Sequence, residues 1–237
     1  MTGPRVAAVV PAAGLGLRLG PGAPKALRTL AGTPMLALAV RALAAARSVD
    51  LVVVAAPPGD EDDVRSLLHD HVGGADLEVV PGGATRQDSV AHALLALPAD
   101  VEVVLVHDAA RPLVPVGLVE AVAQAVLAGQ DAVVPGLPVA DTVKQVDGDD
   151  DVVATLDRAA LRAIQTPQGF RRSVLQAAHA AAGGDDPATD DAGLVERTGV
   201  RVRVVPGHAE AFKVTRPLDL VLAEAVLARR RAAGALT

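Results

Sequence analysis

Six short runs of this chain are apolar at nearly every position: Val6–Val10, Leu51–Ala56, Leu77–Val80, Val101–His107, Asp131–Pro138 and Val202–Val205. A strand with one wet face alternates apolar and polar residues. A continuous apolar run is instead buried on both faces, as in a parallel sheet covered by helices on each side. Helical periodicity fills the intervals, at Met35–Arg47, Glu61–His69, Arg86–Leu97, Val116–Ala128, Arg171–Ala182 and Leu218–Ala233. This alternation predicts an α/β fold: one doubly wound, mostly parallel sheet with its ligands outside the carboxyl ends of the strands. A chain of 237 residues with no internal repeat and no linker-like stretch fits a single domain over 1–237.

The composition narrows the chemistry. Hydrophobic residues make up 51% of the chain, yet it holds two Phe and no Trp or Tyr, so the core must be built of Ala, Val and Leu. Base stacking on aromatic platforms is therefore unavailable, and a nucleobase would have to be read by backbone and small polar groups. The formal net charge of −6 argues against a general nucleic-acid or anionic-membrane surface. The absence of cysteine excludes disulfides, zinc–thiolate sites, iron–sulfur clusters and thiol catalysis. No apolar run approaches the roughly 20 residues of a spanning helix, and the N-terminus lacks a signal layout, so a cytoplasmic protein is expected.

Against that acidic background the loop after the first run stands out. PAAGLGLRLGPGAPK (Pro11–Lys25) carries Gly14, Gly16, Gly20, Arg18 and Lys25. Bare amides and two cations at a strand's carboxyl end suit a triphosphate; solvated loop charges are the plainer alternative. The loop is not a dinucleotide fingerprint, because Leu19 stands where the sixth-position glycine belongs. It is not a Walker loop either, because Pro24 precedes Lys25.

Further candidates lie at other strand ends. In LVHDAARP (Leu105–Pro112), Asp108 could hold Mg²⁺ directly or through water, and Arg111 could grip a phosphate with two donors; a turn-capping Asp108 is the competing reading. His107 reads as a satisfied buried histidine. In PGGATRQDSV the double glycine Gly82-Gly83 would bring backbone close to a planar group, with Ser89 donating to it. Lys213 reads as a lysine at a strand end, pointing either to a site or to water. His69-Asp70-His71 resembles a metal tract only superficially. The three arginines Arg229–Arg231 are expected to complement a helix dipole. The segment Asp141–Arg158, with the acidic turn Asp147–Asp150, predicts a β-hairpin arm at about 139–159. Such an arm is marginal alone and would most simply pack on a second copy of the chain.

Taken together, these segments closely resemble the 2-C-methyl-D-erythritol 4-phosphate cytidylyltransferases of the non-mevalonate isoprenoid pathway. The matching pieces are PAAGLGLRLGPGAPK, GGATRQDSV, VHDAARP, DTVK, LDR, QTPQGF, TDDAG and KVTRPLDL, in the family's order across essentially the whole chain. The resemblance implies a Rossmann-like nucleotidyltransferase fold and cytidylyl transfer from CTP to the methylerythritol phosphate with Mg²⁺. By position, Arg18 and Lys25 would stabilise charge at the α-phosphate, while Arg158 and Lys213 would hold the acceptor, with further contacts from Arg111, Thr142 and Thr189. Ala12, Ala13, Gly14, Gly16, Gly83, Ser89 and Ala109 would form the cytidine and phosphate pocket. Asp108 would lie near the ribose and the metal. A homodimer is implied, with Thr142 and Arg158 of the arm serving the neighbouring site. The rival readings are a cytidylyltransferase for another polyol phosphate, such as ribitol 5-phosphate, and a nucleotide-binding regulator without catalysis.

Overall fold

The computed structural model describes residues 4–14, 25–183 and 188–234. Its centre is an eight-stranded sheet. Four strands form the parallel half: β1 (Arg5–Pro11), β4 (Leu51–Ala56), β5 (Asp76–Pro81) and β6 (Val101–Val106). β1 is central, with β4 on one side, followed by β5, and β6 on the other. Strand order therefore reverses beside β1, and at such a switch point the two loops that leave β1 and β6 diverge and open a crevice.

Alternate residues of each strand feed opposite layers. Val6, Ala8 and Val10 of β1, with Val52 and Val54 of β4, pack into one apolar cluster under α1 (Met35–Ala44), α2 (Glu61–Leu68) and α4 (Val116–Leu127). Ala7, Val9, Leu51 and Val53 pack into the other, under α3 (Arg86–Leu95), α5 (Arg172–Ala181) and α6 (Asp191–Arg197). A third cluster joins α1 to α7 (Pro217–Ala232) through Leu30, Met35, Leu38, Val226 and Leu227. The core is Ala/Val/Leu throughout, with Phe170 its one fully buried aromatic among the described residues.

The predicted strands and helices are present with ends that coincide or are shifted by at most three residues. What the apolar pattern did not predict is a pair of antiparallel strands on the far side of the sheet. β11 (Gln168–Arg171) runs antiparallel between β6 and β7 (Ala132–Pro138). β10 (Arg162–Ile164) continues antiparallel along the same edge of β7, while β12 (Val202–Pro206) pairs its other edge in parallel. β11 is short and begins with a polar residue, Gln168, so no apolar run marks it. It is nonetheless buried, because Gln168 Nε2 donates to Asp190 and its Oε1 accepts from the Ala192 amide. Gly169 is required there: a Cβ would stand 2.7 Å from Val122 and 3.2 Å from Leu105.

The arm is a hairpin of its own, β8 (Lys144–Val146) with β9 (Val152–Thr155), separate from the main sheet. A further two-stranded piece, β2 (Thr29–Leu30) with β3 (Thr33–Pro34), precedes α1. The arm's acidic tip is ordered by Asp147, whose carboxylate accepts from the amides of Asp149 and Asp151. Val146, Val152, Val153 and Leu156 on it are exposed.

Candidate active site

A cavity of about 220 Å³ opens at the switch point, lined by Pro11–Gly14, Ala26, Gly83–Arg86, Ser89, Asp108–Ala110 and Lys213. Its walls are the carboxyl ends of the parallel strands. The Ala12 amide donates to Ala55 and the Gly82 amide to Ala56, which ties the loops after β1 and β5 to the end of β4. The His107 amide donates to Val9 and brings the loop after β6 alongside.

Of the residues predicted for the site, Ala12, Ala13, Gly14, Gly83, Ser89, Asp108, Ala109 and Lys213 line this cavity. Gly16 and Arg18 lie outside the described residues, as does the side chain of Lys25. Arg111, Thr142, Arg158 and Thr189 do not line it. Thr189 is exposed beside Asp190, the N-cap of α6. Thr142 and Arg158 are exposed at the base of the arm, where Arg158 Nη1 donates to the Ala140 carbonyl at 2.6 Å.

Several expectations need correcting. Of the double glycine, Gly83 lines the cavity as expected while Gly82 does not, and both are also packed tightly against the protein itself. A Cβ on Gly82 would stand 2.5 Å from the Ala13 Cβ, and one on Gly83 would stand 2.2 Å from that of Asp88. Ser89 does not donate into the cavity: its hydroxyl donates to the Thr85 carbonyl and accepts from the Gly83 amide. That serves the start of α3, where Thr85 and Asp88 form a reciprocal capping box. Arg111 does not present a free fork, since Nη1 donates to the Ala211 carbonyl at 2.8 Å and Nη2 faces that of Ile164. Lys213 follows a short 3₁₀ turn, Ala209–Ala211, rather than a strand. Its position is set by the neighbouring Val214, which is fully buried and whose amide donates to Ala110. Arg229 and Arg230 clasp Glu210 instead of serving the dipole of α7 alone, and Arg230 also donates to the Leu113 carbonyl.

Asp108 is the electrostatic centre. Its side chain is about nine-tenths buried, with Lys213 Nζ 2.9 Å from Oδ2, Arg86 Nε 3.2 Å from Oδ1 and Arg111 Nε 3.6 Å from Oδ2. Burial alone would raise its pKa, but the charges of Arg86 and Lys213 outweigh it and hold the carboxyl far below its usual range. Asp108 is thus an anion across the working pH range of most proteins. Among the described residues no group of three or more His, Asp or Glu side chains forms a metal cage. One carboxylate is still what Mg²⁺ needs when it arrives on a triphosphate and keeps its waters, so Asp108 fits an ion that comes with a nucleotide.

His107 is fully buried, and its tautomer follows from its neighbours. Nε2 lies 3.1 Å from the Arg111 carbonyl, which can only accept, so Nε2 carries the hydrogen. Burial lowers the pKa to about 4, so the ring is neutral and Nδ1 accepts from the Thr166 hydroxyl. Thr166 Oγ1 in turn accepts from the Asp108 amide. The ring therefore pins the loop that carries Asp108 and Arg111, in line with its reading as a satisfied buried histidine.

Arg86, Asp191 and His179 escaped the sequence reading. Arg86 Nη1 donates to Asp191 Oδ2 at 2.7 Å, and His179 Nε2 lies 2.9 Å from Asp191 Oδ1. The segments GGATRQDSV and TDDAG were both noted, but a pairing across 105 residues leaves no local signal.

A sequence model of the 2-C-methyl-D-erythritol 4-phosphate cytidylyltransferase (IspD) family matches residues 6–229. The chain belongs to this family. Among its relatives, the 2-C-methyl-D-erythritol 4-phosphate cytidylyltransferase of Streptomyces avermitilis is 63% identical over 238 residues, covering 97% of this chain and 94% of that one. The enzyme of the same name from Saccharopolyspora erythraea is 54% identical, covering 94% and 99%. The crystal structure of the Thermus thermophilus 2-C-methyl-D-erythritol 4-phosphate cytidylyltransferase superposes with a TM-score of 0.73 at 41% identity, over 92% of this chain and 97% of that one. A 4-diphosphocytidyl-2C-methyl-D-erythritol synthase from Anaerococcus prevotii superposes with a TM-score of 0.82 at 29% identity, over 95% and 99%. No described helix is long and apolar enough to cross a membrane.

Proposed function

We propose that the cavity at the β1–β6 switch point is where this IspD-family enzyme moves a cytidylyl group from CTP to 2-C-methyl-D-erythritol 4-phosphate, in isoprenoid precursor synthesis. The observation that carries the reading is the cluster of backbone turns (Ala12–Gly14 and Gly83–Thr85) facing Asp108, Arg86 and Lys213 across one cavity in a chain of this family. A pocket walled by alanines, glycines and one serine suits a small pyrimidine read by backbone, as the near absence of aromatics requires.

In the reaction an oxygen of the acceptor's phosphate attacks the α-phosphorus of CTP in line. The new P–O bond forms as the bond to the β-phosphate oxygen breaks, giving 4-diphosphocytidyl-2-C-methyl-D-erythritol and pyrophosphate. Little proton chemistry is involved, so catalysis is positioning plus stabilisation of charge on the α-phosphate oxygens. Arg18 and Lys25, which follow β1 in the sequence, supply that charge in this reading; a preorganised donor of this kind is worth about 10²–10³ in rate. Lys213 holds the acceptor phosphate. Mg²⁺ arriving with CTP would be held by Asp108 and would neutralise part of the triphosphate's charge.

The arm completes the site in trans. Its apolar side chains are exposed, and Arg158 and Thr142 stay outside their own chain's cavity, which supports a homodimer in which each arm serves its partner. Pyrophosphate release with CTP and each polyol phosphate tests the reading. Turnover with 2-C-methyl-D-erythritol 4-phosphate is expected; a preference for ribitol 5-phosphate, or CTP binding with no turnover, would overturn it.

A further inference from the structure

A line of polar contacts runs from the cavity into the protein: Lys213, Asp108, Arg86, Asp191, His179. The first three line the cavity and the last two do not. Asp191 is 1% exposed, and its two carboxylate oxygens are held separately, Oδ2 by Arg86 and Oδ1 by His179 of α5. Asp108 is held the same way, Oδ1 by Arg86 and Oδ2 by Lys213. A carboxylate gripped by one cation can swivel about it, whereas one gripped at both oxygens has a fixed plane.

Arg86 joins the two carboxylates with different nitrogens, Nε toward Asp108 and Nη1 toward Asp191. The planar guanidinium converts the fixed direction of Asp191 into a fixed direction for Asp108. Its backbone is equally constrained. Arg86 is the first residue of α3, directly after the Thr85 cap and the Gly82-Gly83 turn, where even a Cβ would not fit. Burial opposes the charges here, yet they persist. Asp191 stays below the ordinary carboxylate range because the hydrogen bond from His179 and the charge of Arg86 outweigh its burial, and the two carboxylates raise the pKa of Arg86 against its own.

We propose that Arg86 is a positioning residue for cytidylyl transfer, anchored by the buried Asp191–His179 pair so that Asp108 and Lys213 hold one orientation in the cavity. Without Arg86, Asp108 would retain only Lys213 and Arg111. Lys213 would then be drawn onto the carboxylate and away from an incoming phosphate. This inference rests on the reading of the cavity as the transfer site.

The test is steady-state pyrophosphate release by the full chain, with CTP, Mg²⁺ and 2-C-methyl-D-erythritol 4-phosphate. Asp191→Asn, a change outside the cavity, should lower kcat about tenfold or more at saturation in both substrates, with KM for CTP altered less than about threefold. In an Arg86→Gln background the same change should cost less than about twofold, because its route to the cavity is gone. Arg86→Lys should keep the CTP-dependent rise in Tm but not kcat, since one ammonium cannot bridge two carboxylates.

A purely structural strut would lower Tm and leave kcat untouched. That result for Asp191→Asn, or losses that multiply in the double variant, would overturn the proposal. If Asp191→Asn does not fold, wild-type kcat from Arg86→Lys would overturn it equally. Lys213→Ala separates the two levels of inference: full turnover there removes the site reading itself. Loss of turnover there, combined with an unaffected Asp191→Asn enzyme, removes only the role of Arg86.

Discussion

Acidification should loosen this fold through one imidazole before any carboxylate contributes. His107 is fully buried, with its two nitrogens committed to the Thr166 hydroxyl and the Arg111 carbonyl. Burial lowers its pKa from 6.5 to about 4. The sign follows directly. Above pH 6.5 the ring is neutral in both folded and unfolded chains and contributes nothing pH-dependent. As the pH falls, the unfolded chain takes up a proton that the folded one refuses, so stability declines until the folded value near 4 is passed. A shift of about 2.5 units at about 1.4 kcal/mol each gives a total of about 3 kcal/mol, of which about 2 kcal/mol falls between pH 7 and pH 5. Asp108 and Asp191 act in the same direction, but their unfolded values lie near 4, so their contribution is lost only at lower pH. Urea denaturation of the wild type at steps between pH 7 and pH 5 should show the slope, and His107→Gln should flatten it. Imidazole NMR would read the ring directly as neutral, with its proton on Nε2, down to about pH 4. A His107 that titrates near 6.5 in the folded protein would refute the argument, as would equal slopes in the two proteins.

Three other outcomes are expected. Gly83→Ala forces a methyl group to 2.2 Å from the Asp88 Cβ and should cost about 1–3 kcal/mol in urea denaturation together with turnover, since the capping box and the cavity wall shift as one; an unchanged midpoint would contradict the packing described. Phe170→Ala empties the largest fully buried side chain, on β11 between β6 and β7. It should cost about 3–5 kcal/mol, and a loss under about 1 kcal/mol would mean that β11 is not integral to the sheet. Finally, inactive Arg158→Ala and Lys25→Ala proteins, mixed so that heterodimers form, should regain part of the pyrophosphate release if each arm serves its partner's cavity. No regain from exchanged subunits would count against that arrangement.

The elements that were legible in the sequence are those whose cause is local. β1, β4 and β6 were readable because burial on both faces demands an unbroken apolar run, and Val6–Val10 and Leu51–Ala56 are such runs. The hairpin was readable from β-prone residues flanking the acidic turn Asp147–Asp150. β11 and α6 were not. Gln168 and Asp191 are polar residues at buried positions, tolerated only because Asp190, Ala192, Arg86 and His179 satisfy them. Those partners come from other elements, so no window of sequence contains the reason. The same holds for Arg111, whose residue type suggested a ligand contact while the fold turns its donors onto Ala211 and Ile164.

By itself the sequence determined the doubly wound sheet and the end of it at which the cavity opens, because strand burial and motif spacing are short-range properties of a chain. Only the tertiary structure decided which charges meet. Asp108 gathers Arg86, Arg111 and Lys213, and Arg86 reaches Asp191, because segments as much as 105 residues apart are brought to one crevice by the reversal of strand order beside β1.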